Sequence, residues 1–292
     1  MPHFQGVVSR SYPCFRFRNS FLRRSTLLLT LMTLLMGSWM AQAQDGRSIL
    51  LKTLHYYHSL HSYSGRANVD TLMYSESGQT VKHIGSSSIL EMQRPNKLYI
   101  FLQSPDGSRS IYSDGTTFNV YETSPDQYIT VPLKGKQIDF LHLLRVHSNV
   151  VASFDSLYFL LQASLPQELT DIRLKGPSTC NGHPVYVVTG TTTVTRNGKA
   201  LLPAYWTWWI DRRSSLLYRV ETTTPNIVQE VVLGTEQKPV LKNVKGTLLV
   251  RYTVTELKPD VNLASSDFVF TPPKTASRRR TIQELLKSLN QK

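Results

Sequence analysis

The chain has 292 residues, 40% hydrophobic and 18% charged, with 33 Lys and Arg against 20 Asp and Glu for a formal net charge of +13. That balance is too apolar and too aromatic for a disordered chain, and a single long apolar run excludes a polytopic helical membrane protein. Two cysteines, Cys14 and Cys180, exclude a disulfide scaffold.

Residues 1–43 carry Arg10, Arg16, Arg18, Arg23 and Arg24 and no acidic residue. The apolar run Ser25–Met40 follows and ends at Ala41-Gln42-Ala43. A basic segment, a short apolar segment and a small-x-small site make a secretory signal peptide. At 16 residues the run falls short of the roughly 20 that a spanning helix needs. Cleavage is therefore expected over anchoring, giving a soluble, periplasmic mature chain. Cys180 is then its sole thiol, expected as a small buried hydrophobe. The basic excess resides mainly in residues 1–43 and in the tail, so no nucleic-acid partner is expected.

The spacing of Leu50, Leu54, Tyr57 and His61 predicts one helix over 45–61, with Asp45 as its cap. From Ser64 the period becomes two. Strands are expected near 65–75, 79–92, 97–102, 108–113, 117–122 and 127–132, with turn residues in each gap. Helical crossovers do not fit those gaps, so the pairing must be antiparallel. The meander breaks at 136–163. There Ile138, Leu141 and Arg145 share a helical face, with Phe140, Leu144 and His147 beside it. A second short helix is expected from Ser153, with Asp155 in its first turn and Phe154, Leu157, Tyr158 and Leu161 on one face. Strands resume near 168–175, 184–194, 203–211, 216–223, 227–234 and 245–257, with turns at Asn197-Gly198 and Asp211–Ser215.

Residues 274–292 form a basic tail. Thr281-Ile282-Gln283-Glu284 is a capping box, and Ile282, Leu285, Leu286 and Leu289 follow at helical spacing. Arg278, Arg279 and Arg280 precede it, where the helix dipole disfavours positive charge. An amphipathic helix here either lies on an anionic membrane surface through 277–292 or docks on its own domain, the latter slightly preferred.

About 11–12 antiparallel strands with a leading helix and a helical insertion cannot stay flat, because twist accumulates. The expected fold is mainly β: a strongly curved sheet or incomplete barrel over 44–273, with 136–163 as a helical lid. Alternation nominates Leu72, Ile89, Tyr99, Phe101, Phe118, Val120, Trp206 and Trp208 for the concave face. The lid adds Phe140, Leu141, Leu144, Phe154, Leu157 and Tyr158. Periodicity alone favours an ordinary core over a ligand cavity for these residues.

Five motifs occur in order: Arg94-Pro95-Asn96-Lys97-Leu98, then Ser113-Asp114-Gly115-Thr116-Thr117-Phe118-Asn119-Val120-Tyr121, then Asn181-Gly182-His183-Pro184-Val185-Tyr186, Trp209-Ile210-Asp211, and Phe268-Val269-Phe270-Thr271-Pro272-Pro273. In this order the chain resembles the LolA/LolB-like lipoprotein-carrier superfamily over about 45–276. More closely it resembles a family of predicted periplasmic proteins of unknown function. The resemblance implies an incomplete barrel with a helical lid over a hydrophobic cavity for acyl chains. It also implies a latch role for Arg94, whose counterpart in carriers hydrogen-bonds the lid. An arginine has five donors with which to hold free helix carbonyls.

His55, His58 and His61 sit at i, i+3 and i+6, which does not converge on one metal. G-x-S-x-G, H-E-x-x-H, P-loop and G-x-G-x-x-G motifs are lacking. No enzyme activity, metal or cofactor is expected. The function expected is a monomeric periplasmic binding or carrier protein for a lipid or lipidated protein. The alternative is an envelope sensor or adaptor on the same fold, acting through protein contacts.

Overall fold

The structure is a computed structural model that describes residues 45–133, 139–147, 155–196, 199–233 and 239–279. The expected leader over 1–43, the turn at Asn197-Gly198, Ile138, Ser153, Phe154, Arg280 and the helix over 281–289 all lie outside the described residues.

Helix α1 spans Gly46–Ser59. The Asp45 carboxylate accepts the Ser48 amide at 2.6 Å, satisfying one of the free donors of the first turn. Leu50, Leu54 and Tyr57 are buried, as their spacing requires. His61, the expected fourth member of that face, is exposed beyond the end of the helix. The face therefore ends at Tyr57, because the chain turns extended at Leu60.

Twelve strands follow: β1 Ser62–Ser75, β2 Thr80–Gln93, β3 Lys97–Ser104, β4 Gly107–Asp114, β5 Thr117–Glu122, β6 Gln127–Pro132, β7 Thr170–Cys180, β8 His183–Arg196, β9 Lys199–Asp211, β10 Leu217–Leu233, β11 Pro239–Pro259 and β12 Ser277–Arg278. They form one sheet in the order β12-β6-β5-β4-β3-β2-β1-β11-β10-β9-β8-β7. Every neighbouring pair is antiparallel except β12 with β6. The sheet is curved and open, a mainly-β architecture as the strand count demands. Two meanders, β1–β6 and β7–β11, are joined where β1 pairs β11.

Two expected strands, 216–223 and 227–234, are one. Strand β10 runs through Pro225, which lies opposite Thr247 of β11. The β9 partners of β10 run only from Ile210 to Tyr205. Pro225 thus lies beyond the last β9 partner, in a stretch paired with β11, an edge-like position where proline is tolerated.

The insertion forms helix α2, Phe140–His147, and helix α3, Ser156–Leu161. Asp155 caps α3 itself rather than lying in its first turn. Its carboxylate accepts the Leu157 amide at 2.9 Å and the Tyr158 amide at 3.4 Å. Helix α1 packs on α3, β7 and β8. Gly46 allows that approach, since a Cβ there would stand 2.8 Å from the Arg173 carbonyl carbon and 2.9 Å from the Leu174 nitrogen. The three helices share one buried apolar cluster with the sheet.

The other face of β3–β6 is covered by the C-terminal segment. A 3-10 turn, Ser265–Phe268, places Phe268 fully buried against β3 and β4. The Phe270 ring lies 5.4 Å from Tyr112, 6.0 Å from Tyr121 and 5.4 Å from Tyr128. The Ser277 and Arg279 amides then donate to the carbonyls of Asp126 (2.9 Å) and Tyr128 (2.8 Å), along the β6 edge. Cys180 is buried.

Candidate functional site: the helix-covered face of the sheet

Strand pairing fixes which side chains share the concave face. Ser88, Leu90 and Met92 of β2 lie opposite Leu102, Ile100 and Leu98 of β3. The row continues through Ile111 of β4, Val120 of β5 and Ile129 of β6. In the other direction Val69 of β1 pairs Tyr252 of β11, which pairs Val220 of β10, which pairs Trp208 of β9. With a period of two, these residues point to one side and their neighbours to the other.

The helices fill this face unevenly. Phe118, Val120, Phe140, Leu141, Leu144, Tyr158, Trp206 and Trp208 all join the buried cluster. Four of them, Phe118, Val120, Leu144 and Trp208, are 0% exposed. Trp206 is tied down as well, its Nε1 donating to Thr192 Oγ1 at 2.8 Å. Most of the face is therefore solid core.

A cavity of about 200 Å³ remains between β1, β2, β3, β10 and β11 on one side and Asp155 and Leu157 on the other. Val69, Leu90, Ile100, Leu102, Val220 and Val250 supply apolar walls. Its polar groups are few. Ser88 Oγ donates to Tyr252 Oη at 3.2 Å, and burial, aided by the Asp155 carboxylate, pushes the Tyr252 phenol well above its ordinary value.

At Val69 and Leu102 this cavity meets a wider trough of about 420 Å³, lined also by Ser86, Ser108, Arg109, Glu122 and Ser124. Arg109 Nε and Glu122 Oε1 form an ion pair here, with side chains 21% and 8% exposed. Burial raises the Glu122 carboxyl, and the Arg109 charge opposes that rise.

Of the residues nominated from sequence, Leu157 roofs the cavity; Ile89 borders it but is not on the concave face, since it alternates with the inward Ser88 and Leu90 and pairs Phe101. The assignment of Leu72, Tyr99 and Phe101 to the concave face is corrected. Leu72 lies opposite His83, and Tyr99 opposite Tyr112 and Phe101 opposite Ser110, all on the outer side. Aromatic side chains occupy the outer side of β3 and β4, and aliphatic ones line the inner, because the C-terminal segment shields the outer side. Val69, Ser88, Leu90, Leu102, Val220, Tyr252, Arg109 and Glu122 were not nominated. The Asp114-Gly115 turn carried a usable signal, since a hairpin closed there sets Arg109 opposite Glu122.

Arg94 lies at the end of β2, where the helices meet. Its Nε donates to the Leu60 carbonyl at 2.8 Å, and its Nη2 to the carbonyls of Tyr57 (3.3 Å) and Leu160 (2.9 Å). One guanidinium therefore joins the C-terminal ends of α1 and α3. Among the described residues, no three His, Cys, Asp or Glu side chains could hold a metal ion. No helix among them is long and apolar enough to cross a membrane.

The site is thus framed by an open, curved antiparallel sheet, helices over its concave face and an apolar cavity between the layers. Residues 46–230 match the family described as "Predicted periplasmic protein (DUF2092)". The chain belongs to that family, as the motif order implied. No curated protein matches the sequence. Among solved structures, the chain is similar to the lipoprotein LppX of Mycobacterium tuberculosis at 15% identity and a TM-score of 0.39, over 75% of this chain and 98% of that one. It is similar to LprF of Mycobacterium bovis at 13% identity and 0.36, over 80% and 97%. A LolA superfamily protein of Nitrosomonas europaea matches at 12% identity and 0.31, over 77% and 98%.

Proposed function

We propose that this protein is a periplasmic binding or carrier protein for a hydrophobic ligand, lipid acyl chains or the lipidated end of a protein, held beneath its helices. The observation that carries this reading is the unfilled apolar cavity under Leu157. An apolar cavity of about 150 Å³ admits benzene, so 200 Å³ receives the end of an acyl chain. Each methylene buried there contributes roughly 0.8 kcal/mol. A longer chain requires α3 to lift, which breaks the Arg94 bond to Leu160. Arg94 is thus the latch of the lid.

The reading is one of binding rather than catalysis. Three carboxylates border the cavity and trough, Asp155, Glu122 and Asp106, and the first two are committed to structure. Asp155 accepts the amides of α3, and Glu122 pairs Arg109. Residues 1–43 act as a cleaved export signal in this reading, so the mature protein starts at Gln44. N-terminal sequencing of the periplasmic protein checks that start.

Native mass spectrometry with lipid extraction, on protein purified from its own periplasm, tests the function. Co-purifying lipid supports it. Lipid-free protein that also fails to bind the apolar fluorophore N-phenyl-1-naphthylamine overturns it.

A further inference from the structure

Proceeding outward from the cavity, the concave face changes character abruptly. Leu102 is followed across the sheet by Arg109, then Glu122, then Gln127. These positions share the inward side with the apolar row, yet they carry a guanidinium, a carboxylate and an amide. Glu122 and Gln127 are buried. Burying an ion pair incurs a desolvation cost that an apolar pair of similar volume avoids. The pair stands where the apolar cavity gives way to the trough, with Leu102 and Val69 shared between the two spaces.

We infer that the ligand is an amphiphile whose chain enters the cavity past Leu102 and whose neutral, hydroxyl-rich headgroup is received in the trough beside Arg109 and Glu122. This rests on the carrier reading and adds the headgroup class. The charges in the trough wall are Arg109, Glu122 and Asp106, so its balance is not positive and it does not attract an anion. The remaining polar groups include Ser86, Ser108, Ser124 and Gln103. Hydroxyls and amides both donate and accept, and so complement a headgroup that does the same. A purely apolar ligand would lie against a charged pair and gain nothing there.

The test uses the full mature chain with N-phenyl-1-naphthylamine as the reporter in the apolar cavity. Two competitors are compared below their micellar concentrations: dodecyl maltoside, neutral and hydroxylated, and dodecanoate, anionic and one methylene shorter in its alkyl part, for which about fourfold is first allowed. The expected result is displacement by dodecyl maltoside at about tenfold lower concentration, the scale of one or two hydrogen bonds to charged groups. In the Arg109→Leu/Glu122→Leu double variant that preference falls to about unity, each displacement being referred to the variant's own reporter affinity. Changing both partners avoids leaving a lone buried charge. Equal displacement, or a preference for dodecanoate, by the wild-type protein overturns the headgroup assignment without any variant. A preference that survives in the double variant overturns the role of the pair. Failure of the reporter to bind the wild type overturns the carrier reading itself.

Discussion

The guanidinium of Arg94 donates to the carbonyl of Leu160 at 2.9 Å, joining the turn after β2 to the last residues of α3. The same side chain holds the carbonyls of Tyr57 and Leu60 at the end of α1. Helix C-termini leave carbonyls without intrahelical donors, and those of Leu60 and Leu160 converge on one side chain together with that of Tyr57, which also takes the Leu60 amide.

Arg94→Ala is expected to destabilise the protein by about 2–3 kcal/mol, since bonds to a charged donor are lost and half-buried carbonyls are left unsatisfied. Urea denaturation measures this. Amide exchange in 157–161 should accelerate more than in β3 or β4, because α3 loses its tie to α1 and the strands do not. Uniform acceleration across α3 and the strands would refute the latch. Arg94→Lys restores only part of the loss, since an ammonium cannot present the planar fork that reaches both helices.

Filling the cavity separates binding from stability. Leu102 stands where the cavity joins the trough and is half-buried. Leu102→Trp is expected to cost at most about 1 kcal/mol of stability, because open space adjoins it, in contrast to the roughly 1–3 kcal/mol of an overpacked core. Binding of an apolar fluorophore should weaken by about tenfold or more, the loss of roughly two buried methylenes. Undiminished fluorescence titration with this variant would place the probe elsewhere.

The turn between β9 and β10 sets the acid limit. Burial would raise the Asp211 carboxyl, but the amides of Ser214 and Arg213 and the Ser214 hydroxyl outweigh it and hold it below its ordinary value. Those bonds measure 2.7, 2.9 and 2.9 Å. A carboxyl lowered in the folded state adds stability above its unfolded value of about 3.9, and this is lost as pH falls through the folded value. Asp114 follows the same sign, its burial outweighed by the amides of Thr117 and Thr116. Asp211→Asn should cost roughly 1–2 kcal/mol at neutral pH. Its stability should converge with that of the wild type as pH drops below about 3.9. A constant difference between pH 7 and pH 3 in urea melts would contradict this account.

Glycine 46 supplies a steric test of how α1 seats on the sheet. A Cβ at this position would stand 2.8 Å from a backbone carbon of Arg173, a group that cannot swing aside as a side-chain tip can. Gly46→Ala is therefore expected to destabilise by about 1–3 kcal/mol, although alanine is the better helix former by roughly 1 kcal/mol. A thermal melt at or above the wild-type midpoint would mean that the contact relaxes freely.

Strand positions were legible because turn chemistry marks them. Pro95-Asn96, Gly115-Thr116 and Asn181-Gly182 each sit in a gap between successive strands. Helix α1 was legible from its spacing and cap. The phase of the strands was not. On β3, both Leu98-Ile100 and Tyr99-Phe101 are apolar rows, and only tertiary structure decides which faces the helices. The deciding contacts come from Phe268 and Phe270, some 170 residues away along the chain, beyond the reach of any local period. The cavity lay hidden for the same reason. It is a space left by imperfect filling between β1, β10 and α3, and no residue pattern specifies a void.

The last segment bears on the solution state. The Ser277 and Arg279 amides are engaged with β6, and Phe270 holds the strand against Tyr112, Tyr121 and Tyr128. An uncovered edge presents unpaired backbone groups to other chains. Deleting 277–292 is expected to expose the β6 edge and produce concentration-dependent self-association, visible by light scattering coupled to size exclusion. The full mature chain should stay monomeric at the same concentrations. Flotation with vesicles containing anionic phospholipid should give equal, low binding for both forms, because the backbone of Arg278 and Arg279, within the basic run, is already committed to the sheet. Stronger flotation of the full chain would instead assign 277–292 to the membrane surface. Monomeric behaviour of the truncated chain would show that β6 needs no cover.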